Sequence, residues 1–306
     1  MLIDTIVDFC DKKYVSLFGK CGNGDCTHPS GGCSGSCYNC LHQIHQPSAD
    51  EKQRQQQKLM YDCPKMLYHY VCQFSYLYAS EILHALRSEQ EYLKDYPYYH
   101  VLSIGCGASV DLMAFEKFYF CENLSQNISY IGIDSNENWK LIQAQIKQYC
   151  DFNRIKQQFL CEDAFEVFAS SSVNDANIIV VSYMISYLYN NGQIKQIDQF
   201  IDSLVDNAVL RKKEDQKMLI IINDLNTYKR GRNYFSYIGD KIEKKGAKIL
   251  NYNYRYFDTG NLYEGQKIGI PYEGKVCLFE IPDKIKLDYH ARTEGQQTIQ
   301  LIMEVI

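Results

Sequence analysis

Gly105-Cys106-Gly107 closes the apolar run Val101-Leu102-Ser103-Ile104, and Asp134 closes a second run, Tyr130-Ile131-Gly132-Ile133. A turn whose residues lack a Cβ lets backbone approach a ligand closely. A carboxylate ending the next strand can accept hydrogen bonds from the two hydroxyls of a ribose. Strand, glycine turn, helix, strand and acid together describe a nucleoside site. The third glycine of a dinucleotide fingerprint is replaced by Ser109, with Asp111 after it. The interval from Gly105 to Asp134 also exceeds the roughly 20 residues such a fingerprint uses. An enlarged first helix with Cys121–Asn127 would absorb the longer interval, whereas the missing third glycine weighs against a dinucleotide, because a pyrophosphate needs the tighter backbone approach. A plainer use exists for each acid: Asp134 can cap a helix starting at Asn136, and Asp163 one starting at Ala164.

The second constellation is Cys21-x4-Cys26-x-His28-x4-Cys33-x3-Cys37-x2-Cys40, followed by His42 and His45. Thiolates and imidazoles at these separations can converge on one tetrahedral ion. The expected ligands are Cys21, Cys26, Cys33, Cys37 and Cys40, with zinc as the ion and an iron–sulfur cluster as the alternative. Cys33-x3-Cys37-x2-Cys40 has the spacing of a radical-SAM cluster site. Asn39, however, stands where that signature wants an aromatic, and the rest of the chain reads as an open sheet. Six of the 18 glycines lie in 19–35, a stretch with too little apolar bulk to order itself. The expected role is therefore structural.

These residues must be positioned by a chain of 306 residues, 46% hydrophobic and 23% charged, with a net charge of −5. That composition is ordinary for a globular protein and argues against a surface generally coated by nucleic acid. No apolar run approaches the roughly 20 residues of a membrane span, and the N-terminus has no signal-peptide pattern. A cytoplasmic location is expected. Residues 1–18 predict an amphipathic helix, 48–61 a second, and Pro64 opens a third with the stripe Leu67, Val71, Phe74, Leu77, Ile82, Leu86. Strands are predicted near 99–104, 128–133, 157–161, 177–182 and 217–223, alternating with helices at 110–121, 136–150, 164–170 and 192–210. Such alternation predicts a parallel sheet covered on both faces. A helix at 233–245 and a β-rich tail at 247–257, 275–281 and 297–305 complete the chain. Two regions follow: 1–97, helical and carrying the Cys-rich module at 19–47, and 98–306, carrying the nucleoside site.

Over residues 98–282 the pattern resembles the class I S-adenosylmethionine (SAM)-dependent methyltransferases. The resemblance implies a seven-stranded Rossmann-like α/β sheet ending in an antiparallel hairpin, here with an N-terminal helical and Cys-rich extension. It also implies that Gly105, Cys106 and Gly107, with Ser109 and Asp111, pass beneath the amino-acid half of SAM. Asp134 would grip the ribose and Asp163-Ala164 would face adenine. Ser182 and Tyr183 would floor the catalytic pocket, and Trp139 could shield adenine or serve the core. Tyr183 and Asp224 are the expected catalytic residues. Tyr68, His69, Tyr76 and His84 could line a lid, with His69 as a base. The segment Ser182-Tyr183-Met184-Ile185 lacks the Asp/Asn-Pro-Pro-aromatic motif and the Pro-Cys pair, which weighs against DNA base methylation. The methyl acceptor is left open among RNA, protein and a small molecule, with a lean to the first two. The loop Asn226–Asn233, rich in Lys and Arg, suits phosphate or a solvated helix entry. Two other uses of the fold stay open: transfer of the aminocarboxypropyl arm of SAM, and a non-catalytic binding or assembly role.

Overall fold

The computed structural model describes residues 1–17, 36–46, 60–122, 124, 126–169, 175–213, 216–227, 231–258, 262, 264–294 and 297–306. Eight strands form one sheet among them: β1 (Tyr98–Ile104), β2 (Asn127–Ile133), β3 (Lys156–Leu160), β4 (Ile178–Ser182), β5 (Met218–Leu225), β6 (Ile249–Phe257), β7 (Ile270–Tyr272) and β8 (Thr298–Val305). Their spatial order is β3-β2-β1-β4-β5-β8-β6-β7. The first five run parallel, and β8 inserts antiparallel between β5 and β6. The order reverses beside β1, where the chain leaves β3 and crosses to β4. Ligands of open α/β sheets bind outside the strand ends at such a reversal.

The central strands are continuous apolar runs because both faces are covered. Side chains alternate between the faces. Val101, Ile178, Val180, Leu219 and Ile221 point into one core, and Leu102, Ile104, Ile179, Val181, Ile220 and Ile222 into the other. The first core is shared with the helices Leu2–Ser16, Pro64–Ser88, Val110–Cys121 and Lys140–Phe152. The N-terminal helix is tied in at its first turn, where the Leu2 amide donates to Glu116 Oε2 at 2.7 Å. An acid placed at that end also meets the positive pole of the helix. The second core packs under the helices Ala164–Ala169, Ile194–Leu204 and Asn233–Lys244.

The sheet has eight strands rather than the expected seven. The tail departs from expectation too: 275–281 forms no strand, and the short Ile270–Tyr272 pairs parallel with β6 instead. Pro271 and the two glycines Gly269 and Gly274 bound that pairing to three residues, which leaves 275–281 as extended chain beneath the Pro64–Ser88 helix. His84 Nε2 lies 3.1 and 3.0 Å from the Lys275 and Val276 carbonyls, and the Leu278 amide donates to Ser80 Oγ. Three helices were not anticipated, Cys37–His45, Met184–Asn190 and Asp283–Tyr289. The expected helix at 48–61 lies mostly outside the described residues. No helix among the described residues is long and apolar enough to cross a membrane.

Candidate functional site

The Gly105–Ser109 turn leaves β1 with three left-handed residues, Gly105 at φ 66°, Gly107 at φ 48° and Ser109 at φ 55°. Glycine occupies the first two because an L side chain is strained there. A Cβ on Gly107 would also lie 3.3 Å from the Trp139 ring. Three bonds hold the turn. The Cys106 amide donates to the Ile133 carbonyl at 3.0 Å, the Gly107 amide to Asp134 Oδ2 at 2.9 Å, and Gln143 Nε2 to the Gly107 carbonyl at 3.2 Å. Asp134 Oδ1 accepts the Asn136 amide at 2.9 Å. Burial raises its pKa, and the two amides pull it back down. Each carboxylate oxygen carries two lone-pair sites and uses one here, so acceptor capacity for a ribose remains.

The other expected cofactor residues divide. Asp163 is exposed at the end of β3, where its Oδ1 accepts the Phe165 amide at 2.8 Å and caps the Ala164–Ala169 helix. Ala164 is buried behind it. Ser182 ends β4 with its hydroxyl oxygen buried and unpartnered. Asp111 is buried, and its Oδ1 accepts the Tyr130 hydroxyl at 2.9 Å while its Oδ2 has no hydrogen-bond partner among the described residues. Trp139 belongs to the core and packs against Gly107 and Tyr70.

Beside the turn, β4 ends in Tyr183, a non-glycine residue held at φ 56°. Its amide donates to the Asn223 carbonyl at 2.7 Å. Asp224 supports the next two residues. Its Oδ2 accepts the Ile185 and Ser186 amides at 3.1 Å each, and its Oδ1 accepts the Leu225 amide at 2.7 Å. The carboxylate is fully buried and its pKa is pushed up to about 6 by that burial. Three backbone bonds make Asp224 the cap of the Met184–Asn190 helix. A carboxylate on an adjacent strand was legible as an acid, but its amide partners depend on how two strand ends meet.

The Tyr183 hydroxyl leads to a group the sequence did not single out. Glu81, in the middle of the Pro64–Ser88 helix, is fully buried. Its Oε2 accepts the Tyr183 hydroxyl at 2.7 Å and Asn223 Nδ2 at 2.8 Å, and its Oε1 accepts the Thr298 hydroxyl at 3.0 Å. Burial pushes its pKa up to about 7, against the pull of those three donors. One signal was available: Glu81 is the only carboxylate in that 25-residue helix. Tyr183 also lines a cavity of about 50 Å³ with Tyr61, Tyr70, Tyr78, Tyr187 and His45. Tyr61 stacks on Tyr187 with centroids 5.9 Å apart, and its hydroxyl lies 2.8 Å from His45 Nε2. Asn136, two residues past Asp134, donates to the Tyr61 carbonyl at 2.7 Å and links cavity to turn.

The expected lid residues lie away from this cavity. Tyr68 and Tyr76 are buried in the core over the sheet face. His69 packs between Tyr14 and Tyr289, and burial lowers its pKa to about 4, so it is neutral and enclosed rather than a base at the site. His84 is bound to the two carbonyls described above. In the basic loop, Arg232 donates to Asn226 Oδ1 and to the Gly265 carbonyl, so it braces the loop; Lys229 and Arg230 lie outside the described residues. Cys21, Cys26 and Cys33 lie outside them as well. Cys37 and Cys40 sit one turn apart on the Cys37–His45 helix, buried with Leu41, Ile44, Met66 and Phe74. No three His, Cys, Asp or Glu among the described residues gather closely enough to hold a metal ion.

With glycine turn, acid and strand order in place, the architecture can be stated. The fold is Rossmann-like, of the methyltransferase type. Solved structures similar to the chain include SAM-dependent methyltransferases and also a [4+2]-cyclase and a precorrin-8W decarboxylase. A class I SAM-dependent methyltransferase from Listeria monocytogenes is 10% identical, with 99% of this chain and 87% of that one covered and a TM-score of 0.45. The plantazolicin methyltransferase in complex with S-adenosylhomocysteine (SAH) is 14% identical, with 97% and 98% covered and a TM-score of 0.44. A SAM-dependent methyltransferase from Archaeoglobus fulgidus is 16% identical, with 74% and 94% covered and a TM-score of 0.40. No family model matches the chain, and none of the curated proteins does. At these identities and scores, function has to be argued from the site's own residues.

Proposed function

We propose that the protein transfers the methyl group of SAM to an acceptor bound over the ends of β4 and β5. The observation that carries this reading is the Gly107–Asp134 bond, which joins a left-handed glycine turn to an acid with spare acceptor sites at the strand-order reversal. SAM, when bound, supplies a methyl group on a sulfonium. The turn Gly105–Gly107 lets backbone pass close to its amino-acid half, Asp134 accepts from the ribose hydroxyls, and Asp163-Ala164 border the adenine. Ser182 offers an unpartnered buried hydroxyl. Tyr183, fixed by Glu81 and Thr298, borders the acceptor. Methyl transfer from a sulfonium is driven by the leaving group, so rigid in-line positioning is the main demand on the protein.

Calorimetric titration with SAM and with SAH tests the cofactor half of the reading. Binding to the wild-type protein and its loss in Asp134→Ala support it, and no binding to the wild type removes it. Incubating cell extract with the protein and isotopically labelled SAM then reports the acceptor, and the added mass separates a methyl from an aminocarboxypropyl group. A structural zinc ion on Cys21, Cys26, Cys33, Cys37 and Cys40 remains part of the proposal on spacing alone. Metal analysis of anaerobically purified protein tests it.

A further inference from the structure

We infer that the acceptor is a basic amine carried on a slender chain, whose ammonium tip enters the cavity lined by Tyr61, Tyr70, Tyr78, Tyr183 and Tyr187. The inference rests on the methyltransferase reading above and names its substrate class. Three observations converge on it. The first is the lining. Five tyrosine rings form a connected set, with Tyr61–Tyr70 centroids 5.5 Å apart, Tyr70–Tyr78 6.2 Å and Tyr78–Tyr183 4.7 Å. Aromatic rings attract cations through their quadrupoles, and more so where water is excluded.

The second is the sign of the surrounding charge. Glu81 backs Tyr183 directly. Burial raises the phenol pKa of Tyr70 and Tyr187, and nearby carboxylates add to it, Glu81 and Asp134 at Tyr70 and Asp134 and Asp62 at Tyr187. The only ionisable nitrogen on the lining among the described residues is His45, which burial holds neutral by lowering its pKa to about 4. Arg292 acts on His45 and Tyr78 from outside the lining, against the carboxylates of Glu81, Asp134 and Asp62 among the described residues. The third is size. The space open to the centre of a water-sized group is about 50 Å³, where about 10–15 Å³ suffices for one water, so the cavity is narrow and suits the end of a slender chain.

In the transfer the ammonium gives one proton to the Glu81 carboxylate through the Tyr183 hydroxyl. The freed nitrogen lone pair forms the new N–C bond, and the C–S bond breaks with its electron pair left on sulfur, giving SAH and a methylated ammonium. Glu81 returns its proton to solvent when the product leaves.

The test is saturation-transfer NMR with n-butylamine and n-butanol near neutral pH, with SAH present. Butylammonium is expected to receive saturation and butanol to bind about fivefold or more weakly. Glu81→Gln and Tyr187→Leu should each weaken butylammonium by a similar factor, while Glu81→Gln leaves SAH affinity within about twofold. Butanol binding as well as butylammonium overturns the inference, as does unchanged ammonium binding in both variants. If either variant fails to fold, the wild-type ratio of amine to alcohol decides alone. A separate SAH titration keeps the two readings apart. SAH without the ammonium leaves the methyltransferase reading and ends this one. The ammonium without SAH removes the methyltransferase reading and, with it, the assignment of the ammonium as a methyl acceptor.

Discussion

The two halves of the site are built by different means. On the cofactor side, at β1, β2 and β3, local backbone bonds fix the shape: Gly107 and Asn136 amides on Asp134, the Phe165 amide on Asp163. Every group involved lies at a strand end or just beyond it. On the acceptor side, at β4, β5 and β8, the shape comes from side chains brought from far apart. Glu81 meets Tyr183, Asn223 and Thr298 at chain separations of 102, 142 and 217 residues. A site of the first kind tolerates change elsewhere in the protein, because its parts travel together. A site of the second kind depends on the Pro64–Ser88 helix staying docked over the sheet. Burial sharpens the contrast: Asp163 is exposed at one end, while Glu81 and Asp224 are fully enclosed at the other.

Substitutions can break this comparison, beginning with the largest expected effect. Asp224→Ala leaves three buried backbone amides without an acceptor and should destabilise the fold by roughly 3–5 kcal/mol. Chemical denaturation measures this, and a loss near zero would return Asp224 to a chemical rather than a structural role. Next is the pH dependence from Glu81, whose folded pKa of about 7 stands above its ordinary 4.5. Between those values the folded protein holds a proton the unfolded chain has released. Stability from this group is therefore greatest below 4.5 and falls as pH rises to about 7, by an amount on the order of 3 kcal/mol. Asp224, with a pKa of about 6 against 3.8, adds a slope of the same sign at lower pH. Glu81→Gln should flatten the upper part of that profile, as melting temperature against pH would reveal.

On the cofactor side the effects should be smaller. Asp134→Asn loses one of two acceptors for the Gly107 and Asn136 amides and should cost about 1–2 kcal/mol. Its larger consequence is a loss of SAM affinity, so the calorimetric change should exceed the stability change. The smallest effect on stability is expected for Asp163→Ala, about 1 kcal/mol for an exposed helix cap. SAM affinity unchanged in that variant would reduce Asp163 to a cap and shift the adenine contact elsewhere.

The same division explains what could be read from the residues in order. Strands β1 to β5 and their order of types followed from apolar runs closed by turn residues. The glycine turn and Asp134 were legible because their partners are neighbours across one parallel strand pair. The short strand Ile270–Tyr272 was not, since three residues with a proline carry no period. Nor was the capping use of Asp224, because an isolated aspartate says nothing of the amides it will meet. Asp111 stood beside the turn in the sequence, yet its bond to the Tyr130 hydroxyl was not legible, since that partner lies on another strand.

Sequence alone determined the alternating α/β framework, the left-handed glycine turn and the acid beside it. All are set by steric limits and spacing within a few dozen residues. Tertiary structure alone decided which carboxylate is enclosed beside Tyr183. A buried charge survives only where several distant donors converge on it, and Glu81 has three. Local sequence cannot report such a meeting, because the free energy that permits it belongs to the assembled core.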